Sequence, residues 1–320
     1  MRTTIQAGLL AVAVAIGAYA QVPKEPLAQA RAALQAGEAD KAIGLLDSLP
    51  QSAEAHNLRC RVLLSVEQWN AAADECQQAI NMDGQNSNYH LWLGRALGEK
   101  ASRASFLNAY SLGKRVRTEF EEAVRLNPRN GEALADLGEF YYDAPGVVGG
   151  GIDKAEGIAA RLDGMDATRA HELRARIAEQ HKDYGTAERE FKQAITVGEH
   201  PAFEWMTLAS FYRRRERWTE MDAAVQSGIK AAQRDKHAGV ALFNGASILS
   251  RANRNPALAA KMLEDYLAGF FKTEEAPSFV AYTRLARLKA QLGDIAGARQ
   301  ERAAALKLAH NYRPAQDLKF

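Results

Sequence analysis

The chain has 320 residues, with 41 Lys and Arg against 39 Asp and Glu and a formal net charge of +2. So even a balance excludes bulk nucleic-acid binding, which needs a strong basic excess. At this length a single compact core would often split into separate domains.

The first twenty residues stand apart. Arg2 and the amino terminus precede an apolar run from Ala7 to Ala18, and Ala18-Tyr19-Ala20 fits a small-x-small cleavage site. That is the pattern of a secretory signal peptide. The run is too short and alanine-rich for a spanning helix, which needs about 20 apolar residues. Residues 1–20 are therefore expected to be cleaved, leaving no membrane span; an uncleaved anchor is the alternative. No cysteine lies near the site, so nothing suggests a lipoprotein. Residues 21–320 are expected to be exported, periplasmic or secreted.

From there on, one helical pattern recurs. It reads Leu134-x-x-Leu137-Gly138-x-x-Tyr141, then Trp205-x-x-Leu208-Ala209-x-x-Tyr212, then Tyr282-x-x-Leu285-Ala286-x-x-Lys289. A second signature follows each copy, clearest as Ala187-x-x-x-Phe191-x-x-Ala194. Two helices that cross closely need a small residue at the crossing. Ala30, Cys60, Gly94, Gly138, Ala175, Ala209, Ala246 and Ala286 fill that position on the first helices. Ala42, Ala72, Val116, Ala155, Ala187, Met221, Ala259 and Ala298 match them on the second. Cys60 to Gly94 and Ala175 to Ala209 each span 34 residues. Gly37, Gly185 and Gly293 fall at turns, and Asn127-Pro128 and His200-Pro201 are expected to end second helices. No stretch keeps a two-residue alternation, so no sheet is expected.

From about Ala28 to Ala309 the chain resembles the tetratricopeptide repeat (TPR) family, whose period is about 34 residues. The resemblance implies an all-α, right-handed α-solenoid of about eight TPR helix pairs, with a concave groove lined by the first helices. A solenoid stays one domain because each repeat packs only on its neighbours. The units fall near residues 23–52, 53–86, 87–130, 131–166, 168–201, 202–236, 237–275 and 279–312.

Two units depart from the pattern. Repeat 3 carries about ten extra residues across 100–114, with Phe106, Leu107, Tyr110 and Leu112 spaced as in lengthened helices. Repeat 4 carries about five, in a glycine-rich stretch over 143–151. The region 94–160 resembles a variant found in exported bacterial TPR proteins, and the two insertions are expected to touch. Gly149, Gly150, Gly151 and Lys154 could form an anion site, because successive glycine N–H groups and a helix N-terminus attract phosphate or carboxylate. In the alternative, favoured here, the glycines allow a long turn while Val147 and Val148 plug onto the repeat 3 insertion.

In this register the residue after each small first-helix position points towards the groove. These residues include Arg31, Arg61, Arg95, Glu139, Arg176 and Arg287, with Arg213, Arg214 and Arg251 one turn further along. Arginine recognises carboxylates bidentately, so a peptide or protein partner bearing acidic groups is expected, helped by exposed apolar residues such as Phe203, Met206 and Phe243. Otherwise the arginines pair with Glu54, Glu132, Glu172 and Glu179 and the face is merely solvated. Cys60 and Cys76 lie on facing helices, where an oxidising compartment permits a disulfide. They fall about three residues out of level, which favours two buried thiols. His56, His90 and His171 take the position that Trp205 and Tyr282 fill elsewhere and are expected to be half-buried packing residues. No catalytic constellation, metal motif or cofactor fingerprint is present. The expectation is a non-enzymatic interaction scaffold. The alternative is a small-molecule or solute-binding component that uses the repeat 3–4 insertion as a pocket.

Overall fold

The structure is a computed structural model and describes residues 26–320. The proposed signal segment lies outside the described residues. Among these, sixteen helices form eight antiparallel pairs and no strand occurs. The pairs are α1 Pro26–Ala36 with α2 Ala39–Asp47, α3 Ala53–Ser65 with α4 Trp69–Met82, and α5 Ser87–Ala101 with α6 Phe106–Leu126. Then come α7 Gly131–Asp143 with α8 Ile152–Asp163, α9 Ala167–Gln180 with α10 Tyr184–Val197, and α11 Pro201–Arg214 with α12 Trp218–Ala232. The last two are α13 Gly239–Arg251 with α14 Pro256–Ala268 and α15 Ser278–Gln291 with α16 Ile295–Leu308, followed by the short α17 Arg313–Gln316. No helix among the described residues is long and apolar enough to cross a membrane.

Local sequence explains where these helices start. Ser52, Asn86, Asn130, Asp166, Asp183 and Asp294 each accept a hydrogen bond from a first-turn N–H of the helix that follows, satisfying donors that have no partner inside the helix. Pro201 opens α11 instead of closing α10, which ends at Val197. A first helical position is where the missing proline N–H costs nothing.

The small residues sit where the pattern requires them. All of the alanines and both glycines named above at the crossings are buried. A Cβ on Gly94 would meet the Phe120 ring at 2.4 Å, and one on Gly138 would meet Leu173 Cδ2 at 2.5 Å. The intra-repeat turn uses a left-handed residue at Gly37, Glu67, Lys182, Glu216, Asn253 and Gly293. Of these positions only Gly37 has no room for a side chain. A Cβ there would lie 2.2 Å from the backbone N of Ser278.

That contact belongs to a larger closure: the two ends of the array meet. Ala30, Leu34 and Leu46 of repeat 1 share one buried cluster with Phe279, Ala305 and Tyr312 of repeat 8 and α17's leading turn. Ser278 Oγ donates to the Ala36 carbonyl at 2.8 Å, and His310 Nδ1 lies 2.8 Å from Asp40. The groove is therefore the inside of a ring.

The insertion in repeat 3 lengthens α5 and α6, the latter to 21 residues. It touches the repeat 4 insertion, where Gly146–Val148 forms a single 3-10 turn. Val148 is buried beside Gly113, whereas Val147 is 70% exposed. Only one of the two valines acts as the plug.

Candidate interaction surface

The arginines expected on the groove occur in two different states. Along the N-terminal half they are paired. Arg31 pairs with Glu54. Arg95 donates to Asp136 at 2.6 Å and to Glu132 at 3.1 Å. Arg61 donates from Nε to Glu274 at 2.9 Å and again from its terminal nitrogen. Arg61 and Arg95 also lie 4.9 and 4.6 Å from the centre of the Trp92 ring, in cation–π range. In the middle, Arg176 is 3.6 Å from Glu179, and Glu179 accepts both arms of Arg214 at 2.7 Å. The solvated-face alternative thus describes Arg31, Arg95 and Arg176.

The C-terminal half differs. Arg213, Arg251, Arg284 and Arg287 have no carboxylate within ion-pair distance among the described residues. Nε of Arg213 is buried without a hydrogen-bond partner. Arg284 lies over the Phe243 ring at 4.2 Å and donates to Ser247, and Arg287 reaches the Pro314 carbonyl at 3.2 Å. Burial pushes the Arg213 guanidinium down from its ordinary value, and Arg214 and Arg251 push it further. Arg284 is lowered by burial, with Arg251 and Arg287 adding to the effect. Arg251 is thus the shared neighbour of both. Glu67 offsets part of the charge at Arg284 without pairing with it, and like charges held together without an ion-pair partner favour an anion beside them. Arg284 escaped the sequence reading because it lies one turn before the assumed position.

Glu139 faces a different environment. Enclosure and the neighbouring Asp136 hold its carboxyl above the usual range. It lines a cavity of about 540 Å³ with Trp69, Trp92, Phe120, Phe140 and Glu275. The residues of the repeat 3 insertion do not build this cavity. Lys100, Arg103, Asn108 and Leu112 instead wall a separate polar groove of about 1240 Å³ that faces α17. Met206 and Phe243 are not exposed groove contacts: they are 2% and 4% exposed. Their side chains turn into the seams between repeats, where Met206 fills space left by Gly228 and Gly245.

The glycine loop offers no anion nest. Gly149 N–H donates to Gly146, Gly150 N–H to Pro145 and Gly151 N–H to Tyr141. Lys154 Nζ donates to the Gly149 carbonyl at 2.8 Å. A Cβ on Gly150 would fall 1.8 Å from the Ala144 oxygen, so glycine serves the turn. Cys60 and Cys76 form a disulfide, with Cα atoms 5.2 Å apart. Cys76 lies one turn beyond Ala72 on the same face of α4, and the close helix crossing removes the offset counted along the chain.

The three aligned histidines are half-buried or better, and each also has an acidic partner. His56 meets Glu75 at 2.6 Å, His90 meets Glu119 at 2.7 Å and His171 meets Glu190 at 2.7 Å. These bridges tie first helix to second. The separations of 19, 29 and 19 residues show the insertion of repeat 3, a signal that the sequence reading passed over. His90 is raised above its ordinary value: burial is the largest single effect and lowers it, but the hydrogen bonds it makes to Glu119 and the Gly84 carbonyl, with the charges of Glu119 and Glu122, together outweigh it.

Glu204 has a strongly perturbed carboxyl. Burial pushes it up to about 7, and Glu172 on α9 adds to the rise; its Oε2 is buried without a partner. A carboxyl raised in the folded state stabilises the fold fully below its unfolded pKa, near 4.3. That contribution is lost as pH rises through about 7. Glu204→Gln is therefore expected to match the parent near pH 4 and to exceed it by about 2 kcal/mol near pH 8 in urea unfolding. A raised His90 acts with the same sign, so some pH dependence persists in the variant. Equal stability of both proteins at the higher pH would refute the assignment.

No family model matches the chain. Superkiller complex protein 3 of Mus musculus is 30% identical over 149 residues, 43% of this chain, and the chain spans 9% of that protein's length. Among solved structures, a thermophilic TPR protein of Thermus thermophilus superposes with a TM-score of 0.50 at 18% identity, covering 58% of this chain and 96% of that one. Yeast Tom70 gives 0.54 at 15% identity, covering 87% of this chain and 57% of that one. The fold is that of a TPR solenoid. The unpaired arginines lie on the first helices α11, α13 and α15.

Proposed function

We propose that this chain is an exported, non-enzymatic interaction scaffold that binds an acidic peptide segment on the C-terminal half of its concave face. The observation that carries this reading is the set of four arginines, Arg213, Arg251, Arg284 and Arg287, without a carboxylate at ion-pair distance among the described residues. Guanidinium groups bind carboxylates with two parallel hydrogen bonds, and enclosure strengthens each. A labelled acidic peptide with a free C-terminus should bind in an anisotropy titration. Reversing two charges, Arg251→Glu with Arg284→Glu, is expected to weaken it at least about tenfold, equivalent to about 1.4 kcal/mol. Equal affinity in the double variant would remove the arginines from the site. Export is tested by intact mass: the mature chain should begin at Gln21, and a full-length chain in the cell's cytosolic fraction would overturn it.

A second reading is binding of a small molecule in the cavity between repeats 2 and 4. Its volume of about 540 Å³ falls within the range of ligand pockets, about 300–1,000 Å³. A ligand there would raise the melting temperature in a thermal-shift screen, and Trp92→Ala would abolish the rise.

A further inference from the structure

The longest connection in the array, residues 269–277 between α14 and α15, does not stay on the rim. It crosses the ring and lays Glu274 on α3. Arg61 grips that carboxylate with two nitrogens, Nε at 2.9 Å. Only 15% of the Arg61 side chain and 18% of the Glu274 side chain remain exposed. The adjoining segment, Thr273-Glu274-Glu275-Ala276, is a turn closed by the Ala276 N–H on the Thr273 carbonyl, and it presents two neighbouring carboxylates to the inside of the ring, the chemistry that the free arginines across the ring would bind.

We infer that Arg61 is a second carboxylate-binding site of the groove, filled in this state by the chain's own Glu274, and that an acidic peptide segment binds there by displacing this strap. The inference rests on the reading of the groove as an acidic-peptide site and names a further subsite within it. Three features fit a seat that can be vacated. Thr273 Oγ1 is buried without a hydrogen-bond partner, so the strap keeps one polar group unsatisfied while it is docked. Glu275, next to the gripped residue, has no ion pair, and enclosure together with Glu132 holds its carboxyl above the usual range. The strap's anchors lie at its base, not its tip: Lys272 Nζ reaches the Tyr266 carbonyl at 2.7 Å, and Tyr266 Oη donates to Ala276. Glu274 can therefore leave while the base holds. Closure of the ring does not depend on it, because Ser278, His310 and the shared apolar cluster join the ends independently.

An internal occupant lowers a ligand's apparent affinity by the fraction of time that it fills the site. Glu274→Gln removes the competing charge and keeps the shape. With the same labelled acidic peptide, Glu274→Gln is expected to bind about tenfold more tightly than the parent. Adding Arg61→Glu to that variant is expected to cancel the gain. A swapped pair, Arg61→Glu with Glu274→Arg, should restore the strap's ion pair and the melting temperature without any tightening. If the parent does not bind but Glu274→Gln does, the filled-site inference is supported even though the four distal arginines fail as the primary site. Unchanged affinity in Glu274→Gln, or no binding to either protein, overturns the inference. In the first of these outcomes the distal-arginine reading survives if Arg251→Glu with Arg284→Glu still weakens the parent. A change in melting temperature alone would make Arg61–Glu274 a structural brace and would also overturn the inference.

Discussion

Truncating Phe191 to alanine is expected to lower the unfolding free energy by about 3–5 kcal/mol. Phe191 is 1% exposed, its ring lies 5.4 Å from that of Phe211, and the Arg176 guanidinium sits 5.5 Å from its centre. It is the seam between repeats 5 and 6, so removing it leaves a cavity that alanines at 187, 194 and 209 are too small and too fixed to collapse into. In an open stack, weakening one seam can let the repeats beyond it melt separately. Here the C-terminal repeats are also held by repeat 1. The variant is therefore expected to unfold in one transition at a lower urea midpoint. Trp69 and Trp92 report one side of the seam and Trp205 and Trp218 the other. Distinct midpoints for variants keeping only one of these tryptophan pairs would contradict the coupling.

Reducing Cys60–Cys76, or replacing both with serine, is expected to cost about 2–4 kcal/mol. The bridge closes a separation of 16 residues, and both cysteines are fully buried between α3 and α4. A reductant can reach the sulfurs only when that helix pair opens. Native protein should thus resist reduction under conditions that reduce the unfolded chain at once. Mass after alkylation, with denaturant and without reductant, checks the premise: labelling of either cysteine would show free thiols. The prediction also bears on compartment, because such a bond persists in oxidising surroundings.

The architecture was readable from the sequence because it repeats. Each crossing needs a small residue, so the row from Ala30 to Ala286 marks the first helices, and the extra length around residues 100–114 shows as a gap in that row. The pattern around the groove was only half readable. Column position groups Arg61 and Arg95 with the other first-helix arginines, but it cannot tell a free arginine from one paired with Asp136, since pairing depends on the next repeat's rotation. Met206 and Phe243 lie one turn before the groove column, at Ser210 and Ser247, and column position does not reveal that their side chains dip into the seams. Glu274 left no periodic trace. Its meeting with Arg61, more than two hundred residues distant, depends on small rotations summed over six repeats, and no local spacing records that sum.

Closure has a consequence for how the molecule can come apart. A row of blocks joined end to end falls into two pieces when any one joint fails. A loop of blocks does not: with one joint broken it becomes an open row and every block is still held. The seam from Leu34 and Ala36 to Ser278 and Phe279 therefore acts as a spare joint for all the others. A single proteolytic cut in an exposed turn, such as that at Arg215 and Glu216, should leave both fragments associated and migrating as one particle until a second contact is lost.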